Sequence, residues 1–313
     1  MMDAQESMEL LSSASAQGGK ITGLTLTGLN LDGARLSGIS FIGCSLEGSF
    51  RDTGFSRCSF EGGSLMKWDL TGASFDGCLF RGDIFQEATL ERSIFVKCRL
   101  EVPESRGPNL KKTYFNGCSF DALLALHSAD LVSAVFMDCA FGQFTAEESI
   151  LEFCAFRNCS FAGLRILKSS CSGMQLMGLT IPAFAAEASE LPQAIFMDSS
   201  LKGARFSGCV LDGATFTGAD LSGAVFDGCS APKANFAGAS MRASDLAGLS
   251  APYADFSRCD FFGARCAGAD LSSVNLHRAT GIDPRAPGMK AEGARLTDPA
   301  LAKAEDFRPF MRG

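Results

Sequence analysis

From Ile21 to Leu276 the chain repeats a five-residue pattern in which one position is large and apolar. The position two residues before this central residue is small, most often Ala or Cys, and the position two residues after it is most often Gly. The stretch 212–230, DGATFTGADLSGAVFDGCS, shows the pattern clearly. A period of five fits neither an α-helix, with about 3.6 residues per turn, nor a strand, with two. The pattern therefore predicts very short extended segments joined by corners.

The residues after each central position have the chemistry of a turn. Proline occurs directly after the central residue in some units, as at Pro182 and Pro232, and the position two after the central residue is glycine in most units. Proline fixes φ near −65° and glycine adopts positive φ, which are the requirements of a type II turn at its second and third positions. Where Arg57, Lys97 or Arg258 replaces the glycine, we expect a turn with negative φ.

A second period, of 20 residues, indicates how the corners close. Central residues from Phe55 to Phe256 are Phe at almost every twentieth position, with Leu176 as an exception, and the series from Leu70 to Leu271 is mostly Leu. Positions 20 residues apart therefore share an environment. Four pentapeptides form one square coil, and coils stacked about 4.8 Å apart form a rod of roughly 12–13 coils with a filled core.

These units resemble a known family. Ala219-Asp220-Leu221, Ala254-Asp255-Phe256 and Ala269-Asp270-Leu271 match the consensus A-(D/N)-L-x-x of the pentapeptide repeat family, and the resemblance covers about residues 21–280. It implies an all-β fold, a right-handed quadrilateral β-helix solenoid with short terminal helices. It implies much less about function, because one fold carries many functions.

The two ends of the chain lose the repeat and are expected to cap the rod. Residues 1–20 are predicted to form an N-terminal cap with a short helix around 4–11, and residues 281–313 a C-terminal tail with a short helix near 298–307. Asp298 as N-cap and Pro299 as first helical residue favour that second helix. Repeat rods need such caps, because an open end exposes strand edges and core.

Within the solenoid, three segments depart from the pattern and are predicted to be irregular loops: 101–109, 121–130 and 182–190. Pro103 and Pro108 occupy small positions, so the first segment is predicted to leave the coil. The second holds a one-residue insertion between Phe120 and Leu126. Loops on a rigid scaffold are where recognition residues concentrate.

Three further residues do not fit the repeat in a simple way. Trp68 is the only tryptophan and stands in a small position before Leu70, with no compensating small residue in its unit. We expect it either to bulge its coil locally or to point outward, where a partner can contact it. His127 and His277 each follow a central residue directly and are predicted to face solvent.

The cysteines could either bind a metal or carry out redox chemistry, or simply fill the core. All but Cys171 and Cys266 of the 13 cysteines stand in the small position. A column of thiols on successive coils suggests metal or redox chemistry, but no Cys-x-x-Cys pair occurs and neither histidine shares the column. We therefore predict reduced cysteines that fill the core in place of alanine, and no metal or cofactor.

Composition excludes several classes of protein. The chain has 313 residues, 46% hydrophobic and 20% charged, which is typical of a globular protein. It has no apolar run long enough to span a membrane, and its acidic N-terminus lacks the pattern of a signal peptide. A cytoplasmic location is expected, with secretion by a leaderless route left open.

No phosphate-binding loop, serine-hydrolase motif or zinc-binding histidine pair occurs, so we predict no enzymatic activity.

We therefore expect a non-enzymatic scaffold that presents the outer faces of a rigid rod to a partner protein. The family resemblance implies two more specific functions: a bacterial type VI secretion accessory or effector-associated protein, which the units 41–46 and 75–80 resemble, or a DNA mimic that protects topoisomerase (gyrase). The net charge is −7, from 35 acidic and 28 basic residues. Because this charge is mixed along the rod, it favours the scaffold over a phosphate mimic and argues against direct nucleic-acid binding.

The candidate partner-binding residues are Leu301, Phe307, Phe310, Met311, Trp68, Glu147, Glu148 and Glu152. Those in the tail either cap the last coil or dock a partner, including a second copy of the chain, since family members that dimerise do so through C-terminal helices. The acidic run of Glu147, Glu148 and Glu152 is the feature that most favours DNA mimicry.

Overall fold

The four-sided β-solenoid predicted from the repeat is the fold observed. The structure is a computed structural model that describes residues 4–63, 67–82, 85–120, 123–283 and 285–306. Its helices and strands, in chain order, are α1 (Ala4–Gln17), β1 (Lys20–Thr22), β2 (Thr25–Asn30), β3 (Arg35–Ser37), β4 (Ser40–Ile42), β5 (Ser45–Ser49), β6 (Gly54–Ser56), β7 (Ser59–Glu61), β8 (Ser74–Asp76), β9 (Leu79–Arg81), β10 (Ile94–Val96), β11 (Arg99–Glu101), β12 (Glu104–Arg106), β13 (Tyr114–Asn116), β14 (Ser119–Phe120), β15 (Leu124–His127), β16 (Val135–Met137), β17 (Ala140–Glu147), β18 (Ala155–Arg157), β19 (Ser160–Leu167), β20 (Ala185–Glu187), β21 (Arg205–Ser207), β22 (Val225–Asp227) and α2 (Pro299–Asp306).

The strands pair in parallel with strands one coil further along the chain. Phe75 pairs with Phe95, and Phe95 with Phe115, each 20 residues on. The sheets contain 13, seven and two strands, and the seven-stranded sheet has the order β18-β16-β13-β10-β8-β6-β3. Toward the C-terminus, single-residue bridges with the same spacing continue the stack as far as Arg295. None of the described helices is long and apolar enough to cross a membrane.

The core consists of columns of like side chains. Phe216 and Phe236, on successive coils, stack with their ring centroids 4.9 Å apart and a 2° angle between planes. Phe216 also meets Phe226 of the opposite side edge to face, at 6.1 Å and 84°. Both geometries are favoured by the quadrupole of the aromatic ring. The 20-residue period therefore places each ring on another ring, which fills the interior.

The turn prediction is wrong at the corners without glycine. Arg57, Lys97 and Arg258 have φ of 52°, 51° and 60°. The reason is the hydrogen bonding between coils: at each of these corners the main-chain N–H donates to a carbonyl of the next coil, as from Arg258 to His277 at 2.8 Å. Keeping that bond holds the corner in the left-handed conformation, although it costs about 1–2 kcal/mol for a residue with a side chain.

The segment 101–109 is not a loop, contrary to the prediction. It contains β12, which pairs in parallel with β15. Val102 is buried, whereas Pro103 is exposed beside it. The carbonyl of Pro103 still accepts a hydrogen bond from Ala125 N, at 2.9 Å. A proline lacks the N–H donor but keeps its acceptor, so these prolines do not interrupt the stack.

The other two segments also stay in the solenoid. Across the insertion Phe115 pairs with Phe136, 21 residues on, so the extra residue lengthens one coil. It falls between β14 and β15, a segment that includes 121–122, outside the described residues. The segment 182–190 is regular: β20 pairs with β19 and β21.

The terminal helices lie at the ends of the rod. Helix α1 runs six residues beyond the predicted end and contacts β2 and β3. Its Leu11 is buried, and Ser15 Oγ accepts a hydrogen bond from Ser37 N at 3.1 Å. Helix α1 therefore covers the first coil with an apolar side chain.

Trp68 lies in the core, so of its two expected placements, a local bulge or an outward position, the outward one is wrong. It is 1% exposed and stacks on Phe50 with ring centroids 4.5 Å apart. The bridge between Ser49 and Asp69 places Gly48 directly below Trp68, one coil down. Gly48 has no side chain. The compensating small residue is therefore in the adjacent coil. Its indole N–H donates to Leu46 O.

A cavity of about 30 Å³ surrounds Ser105, which stands at a central position between Phe85 and Leu126 of the adjacent coils. Its hydroxyl is buried and has no hydrogen-bond partner within the described chain. We expect Ser105→Val to raise the free energy of unfolding by about 1–2 kcal/mol, because it removes an unsatisfied buried hydroxyl and adds apolar contact. Urea denaturation measures the change.

The matched control for this substitution is Ser169→Ala. Ser169 Oγ donates to Leu167 O at 2.7 Å and accepts from Ser149 N at 3.1 Å. Removing a hydroxyl that is satisfied in this way is expected to destabilise the protein by about 1 kcal/mol. A destabilising Ser105→Val would contradict the assignment of an underfilled site.

Candidate protein-binding face

One side of the solenoid differs from the others in what it exposes. This side, which we call face A, consists of the seven-stranded sheet and of the bridges that continue it from Ala155 through Gln175 and Ile195 to Arg295. Its inward residues are the Phe column described above. Its outward residues are those directly before and directly after each Phe.

Many of these outward residues are apolar. Ile94 is 43% exposed and Met177 is 50% exposed. The Tyr114 hydroxyl donates to Met137 Sδ at 3.4 Å, so these two outward side chains of successive coils are in contact. We call this set the apolar stripe: Ile94, Val96, Tyr114, Val135, Met137, Met177, Ile195 and Met197.

The next side of the same coils provides a direct contrast. Its outward residues include Ser119, Ser160, Thr180 and Ser200, which carry hydroxyls. An antiparallel or parallel strand with one solvated side ordinarily presents polar residues there. The stripe is therefore a property of face A and not of the solenoid as such.

The corners beside the stripe carry charge and one further aromatic ring. Arg92, Lys97 and Lys112 are exposed and form no ion pair with any residue that the structure describes. Phe153, at a corner of the same face, is 54% exposed. Asp138, at another corner, accepts a hydrogen bond from Asn158 Nδ2 at 2.5 Å. The stripe thus has unpaired cations at its N-terminal end.

The C-terminal helix folds back onto the far end of face A. Glu305 lies in a cluster of cationic side chains: Arg258 Nη2 is 3.0 Å from its Oε2, Arg278 Nε 2.9 Å and His277 Nε2 3.3 Å. These contacts, with the hydrogen bond from Arg258 as the largest cause, hold the pKa of Glu305 below its ordinary value. Asp298 caps the helix by accepting from Ala300 N at 2.8 Å.

A groove of about 560 Å³ lies between α2 and face A. Thr217, Ala237 and Ser257 line its floor, and Leu301 lines the helix side. The hydroxyl of Thr217 is buried there with no hydrogen-bond partner in the described part of the chain. Helix α2 buries none of its eight residues, so polar contacts hold it in place.

The repeat geometry agrees with a comparison to known families. The family model described as pentapeptide repeats matches in eight copies, over residues 11–48, 194–230, 219–250 and 239–278. The chain is a pentapeptide repeat protein. The family expectation from the sequence is confirmed.

Solved structures of other pentapeptide repeat proteins are similar to this one. A protein from the thylakoid lumen of Arabidopsis thaliana is 26% identical with a TM-score of 0.26, over 30% of this chain and 62% of that chain. HetL, involved in heterocyst differentiation regulation in the cyanobacterium Nostoc, is 19% identical with a TM-score of 0.20, over 94% and 95%. QnrB1, a plasmid-mediated fluoroquinolone resistance protein, is 17% identical with a TM-score of 0.24, over 91% and 97%. No curated protein matches the chain.

The residues predicted as partner-binding do not form one site in this pentapeptide repeat protein. Trp68 belongs to the core. Leu301 is half exposed and lines the C-terminal groove, while Phe307, Phe310 and Met311 lie outside the described residues.

The acidic run lies on a different part of the rod, and its carboxylates have partners. Glu147 Oε2 is 3.2 Å from His127 Nδ1, and Glu148 Oε1 is 3.8 Å from Lys168 Nζ. Glu152 accepts from Ser170 Oγ at 3.0 Å. Because these carboxylates have partners, they do not present the unbroken negative charge of a row of phosphates.

One of the two histidines, His277, differs from expectation. His277 is 8% exposed, because α2 covers it, so the prediction that it faces solvent is wrong. Its Nδ1 accepts a hydrogen bond from Asp298 N at 3.3 Å. His127 is partly exposed beside Glu147.

All 13 cysteines of this pentapeptide repeat protein are buried and free. The thiols of Cys78, Cys98 and Cys118, which stand in one column, each donate to a main-chain carbonyl 3.4 Å from the sulfur. Burial raises the pKa of the Cys154 thiol well above its ordinary value and that of Cys259 to about 12. Within the described ranges, no group of three or more His, Cys, Asp or Glu side chains is arranged to hold a metal ion.

The apolar stripe was missed by reasoning from the sequence. The signal was present, because Ile94, Tyr114 and Val135 directly precede Phe residues of one column. It becomes visible only when outward positions are compared every 20 residues, in the same way as the central ones.

Proposed function

We propose that this protein is a non-enzymatic scaffold that binds a partner protein through the apolar stripe of face A. The observation that supports this proposal is the concentration of outward Ile, Val, Tyr and Met on one side of coils whose next side presents Ser and Thr. Contiguous apolar patches on a protein surface mark interaction sites. Tyr and Met are also enriched in the cores of protein–protein interfaces.

The backbone geometry suits this role. Face A is a sheet in which each strand is hydrogen-bonded to the strands above and below it, as β13 is to β10 and β16. Such a surface loses little conformational freedom when a partner binds. Preorganisation of this kind favours affinity, because the entropic cost of ordering the interface is small.

The charge distribution favours this proposal over DNA mimicry. Arg81 lies between Glu61 and Glu101, at 2.8 and 2.7 Å, and Arg242 Nη1 is 2.6 Å from Asp260 Oδ2. Basic and acidic side chains thus alternate on successive coils. A protein that imitates DNA needs a one-sided acidic surface. A topoisomerase or a component of a secretion apparatus remains a partner that the following experiment can identify.

We expect the double variant Met137→Glu/Met177→Glu to lose at least about tenfold in partner binding, because two buried carboxylates without partners would enter the interface. The measurement is a quantitative pull-down from a bacterial lysate with full-length protein as bait. The matched control is Ala140→Glu/Thr180→Glu, which adds the same charge to the same two coils on the next side, where both residues are exposed.

Proteins that are lost with the stripe variant and retained with the control variant are the partners that the proposal requires. Topoisomerase subunits among them would indicate a protein that binds topoisomerase. Components of a secretion apparatus would indicate a secretion accessory protein. Equal capture by both variants would overturn the proposal. Thermal melting of both variants verifies that neither has unfolded.

A further inference from the structure

The apolar stripe and the C-terminal groove are parts of one ladder. Met177 and Met197 directly follow central Phe-column residues, and Thr217, Ala237 and Ser257 do so on the next three coils. The ladder continues to His277, which α2 covers. The helix of this chain therefore rests on the continuation of the surface that carries the stripe.

Helix α2 is held weakly. None of its own eight residues is buried, and polar contacts hold it: the ion pairs around Glu305, the hydrogen bond from Arg278 Nη2 to Ala302 O, and the 2.8 Å pair between Arg278 and Asp306. The pairs that involve the exposed side chains of Arg258 and Asp306 contribute little, because water and salt screen them. A helix of eight residues is also shorter than the roughly 12–15 residues that an isolated helix needs to be stable in water. A ligand with apolar contacts on the same face can displace it.

The spacing of face A matches a helix that lies along the rod. Successive coils are about 4.8 Å apart, and an α-helix advances about 5.4 Å per turn. One turn therefore meets about one coil, so that residues i, i+3, i+4 and i+7 of a helix can follow the stripe.

The charged residues of face A indicate which charge the partner helix carries. At one end of face A, Arg258 and Arg278 bind the carboxylate of Glu305. At the other end, Arg92, Lys97 and Lys112 are exposed and unpaired within the described residues. Cations therefore lie at both ends of face A, and carboxylates on a ligand would complement them.

We propose that the partner segment recognised by face A is an acidic amphipathic α-helix, and that α2 occupies the C-terminal end of its site in the free protein and yields to it. This inference rests on the proposed function, because it takes the apolar stripe as the binding surface. Glu305 stands where a carboxylate of the partner helix would bind.

The test uses the full-length protein and two synthetic helical peptides of about 30 residues, because the coils from Phe95 to Leu276 span roughly 43 Å and a helix rises about 1.5 Å per residue. Both carry Leu at positions i, i+3, i+4 and i+7; one has Glu at the remaining positions and the other has Lys. We expect the acidic peptide to bind at least tenfold more tightly in fluorescence anisotropy. Hydrogen exchange of the α2 amides should accelerate when it binds.

A variant of α2 tests displacement directly. Glu305→Gln removes the carboxylate that contacts Arg258, so we expect faster exchange in α2 and tighter binding of the acidic peptide. Lys303→Gln is the matched control on the same helix, since Lys303 is exposed and forms no ion pair among the described residues. It should leave both quantities within twofold of the wild type.

Equal affinity for the two peptides, or binding of the acidic peptide without a change in α2 exchange, would overturn this inference. That failure is distinct from failure of the proposed function. If Met137→Glu/Met177→Glu abolishes partner capture while α2 exchange never responds to peptide, the scaffold stands and the helix assignment is wrong. If both variants of the pull-down capture the same proteins, the scaffold proposal itself is wrong.

Discussion

Replacing Trp68 with Ala is expected to lower the free energy of unfolding by about 3–5 kcal/mol, the range for truncating a large buried aromatic side chain. The indole stacks on Phe50 and meets Phe60 edge to face, with ring centroids 6.0 Å apart. Its removal would leave a void that the neighbouring coils cannot close without breaking their main-chain ladder. It would also leave Leu46 O without the donor that the indole supplies. Urea denaturation followed by circular dichroism measures the loss.

Two controls make this prediction specific. Trp68→Phe keeps most of the stacking and should cost clearly less than Trp68→Ala. Tyr253→Ala removes an exposed ring and should change stability by less than about 0.5 kcal/mol, as surface substitutions usually do. If Trp68→Ala behaved like Tyr253→Ala, the placement of the indole in the core would be wrong.

The second large effect is expected at Gly63, where Ala should destabilise the protein by about 3 kcal/mol or more. The residue has a φ of 82°, and a Cβ atom there would lie 2.0 Å from Cys44 O. Main-chain atoms of the coil below cannot move aside as a flexible side chain can. Overpacking therefore adds to the cost of a left-handed conformation with a side chain. Thermal and urea unfolding measure this change.

The adjacent Gly62 provides the matched control. It also has positive φ, at 64°, but a Cβ atom there would meet no atom within 4 Å. Gly62→Ala should therefore cost only about 1 kcal/mol, the conformational term. Equal effects at the two positions would show that the close approach to Cys44 is not what requires glycine at position 63.

Irregular units of the repeat show how far the sequence predicts packing. Phe184 and Ala186 exchange the large and small positions, and both are buried in a regular coil. Total volume is conserved within that unit, which is why the coil stays regular although 182–190 was predicted to be an irregular loop. The volume of Trp68 is instead balanced by Gly48 in another coil, which the unit of Trp68 alone does not reveal.

Proline and corner residues were misjudged for a related reason. Pro103 and Pro108 suggested a loop, yet the carbonyl of Pro108 accepts from Asp130 N at 3.0 Å and the stack continues. Lys97 was expected to have negative φ, yet the coil above holds it at 51°. Local propensity gave the wrong answer in both cases, because hydrogen bonds between coils outweigh it.

By itself, the sequence determined the repeating unit, the coil of four units and the columns of the core, including the cysteines that stand in place of alanine. It could do so because each coil packs against a nearly identical coil, and the same two inward positions of every unit therefore carry the same constraint. Outward positions carry no such constraint. The stripe that contains Ile94 and Tyr114 could be recognised only once the coil geometry placed residues 20 positions apart side by side. The tertiary structure alone decided that α2 folds back to place Glu305 on Arg258, because no period of the sequence relates the tail to the coil that it contacts.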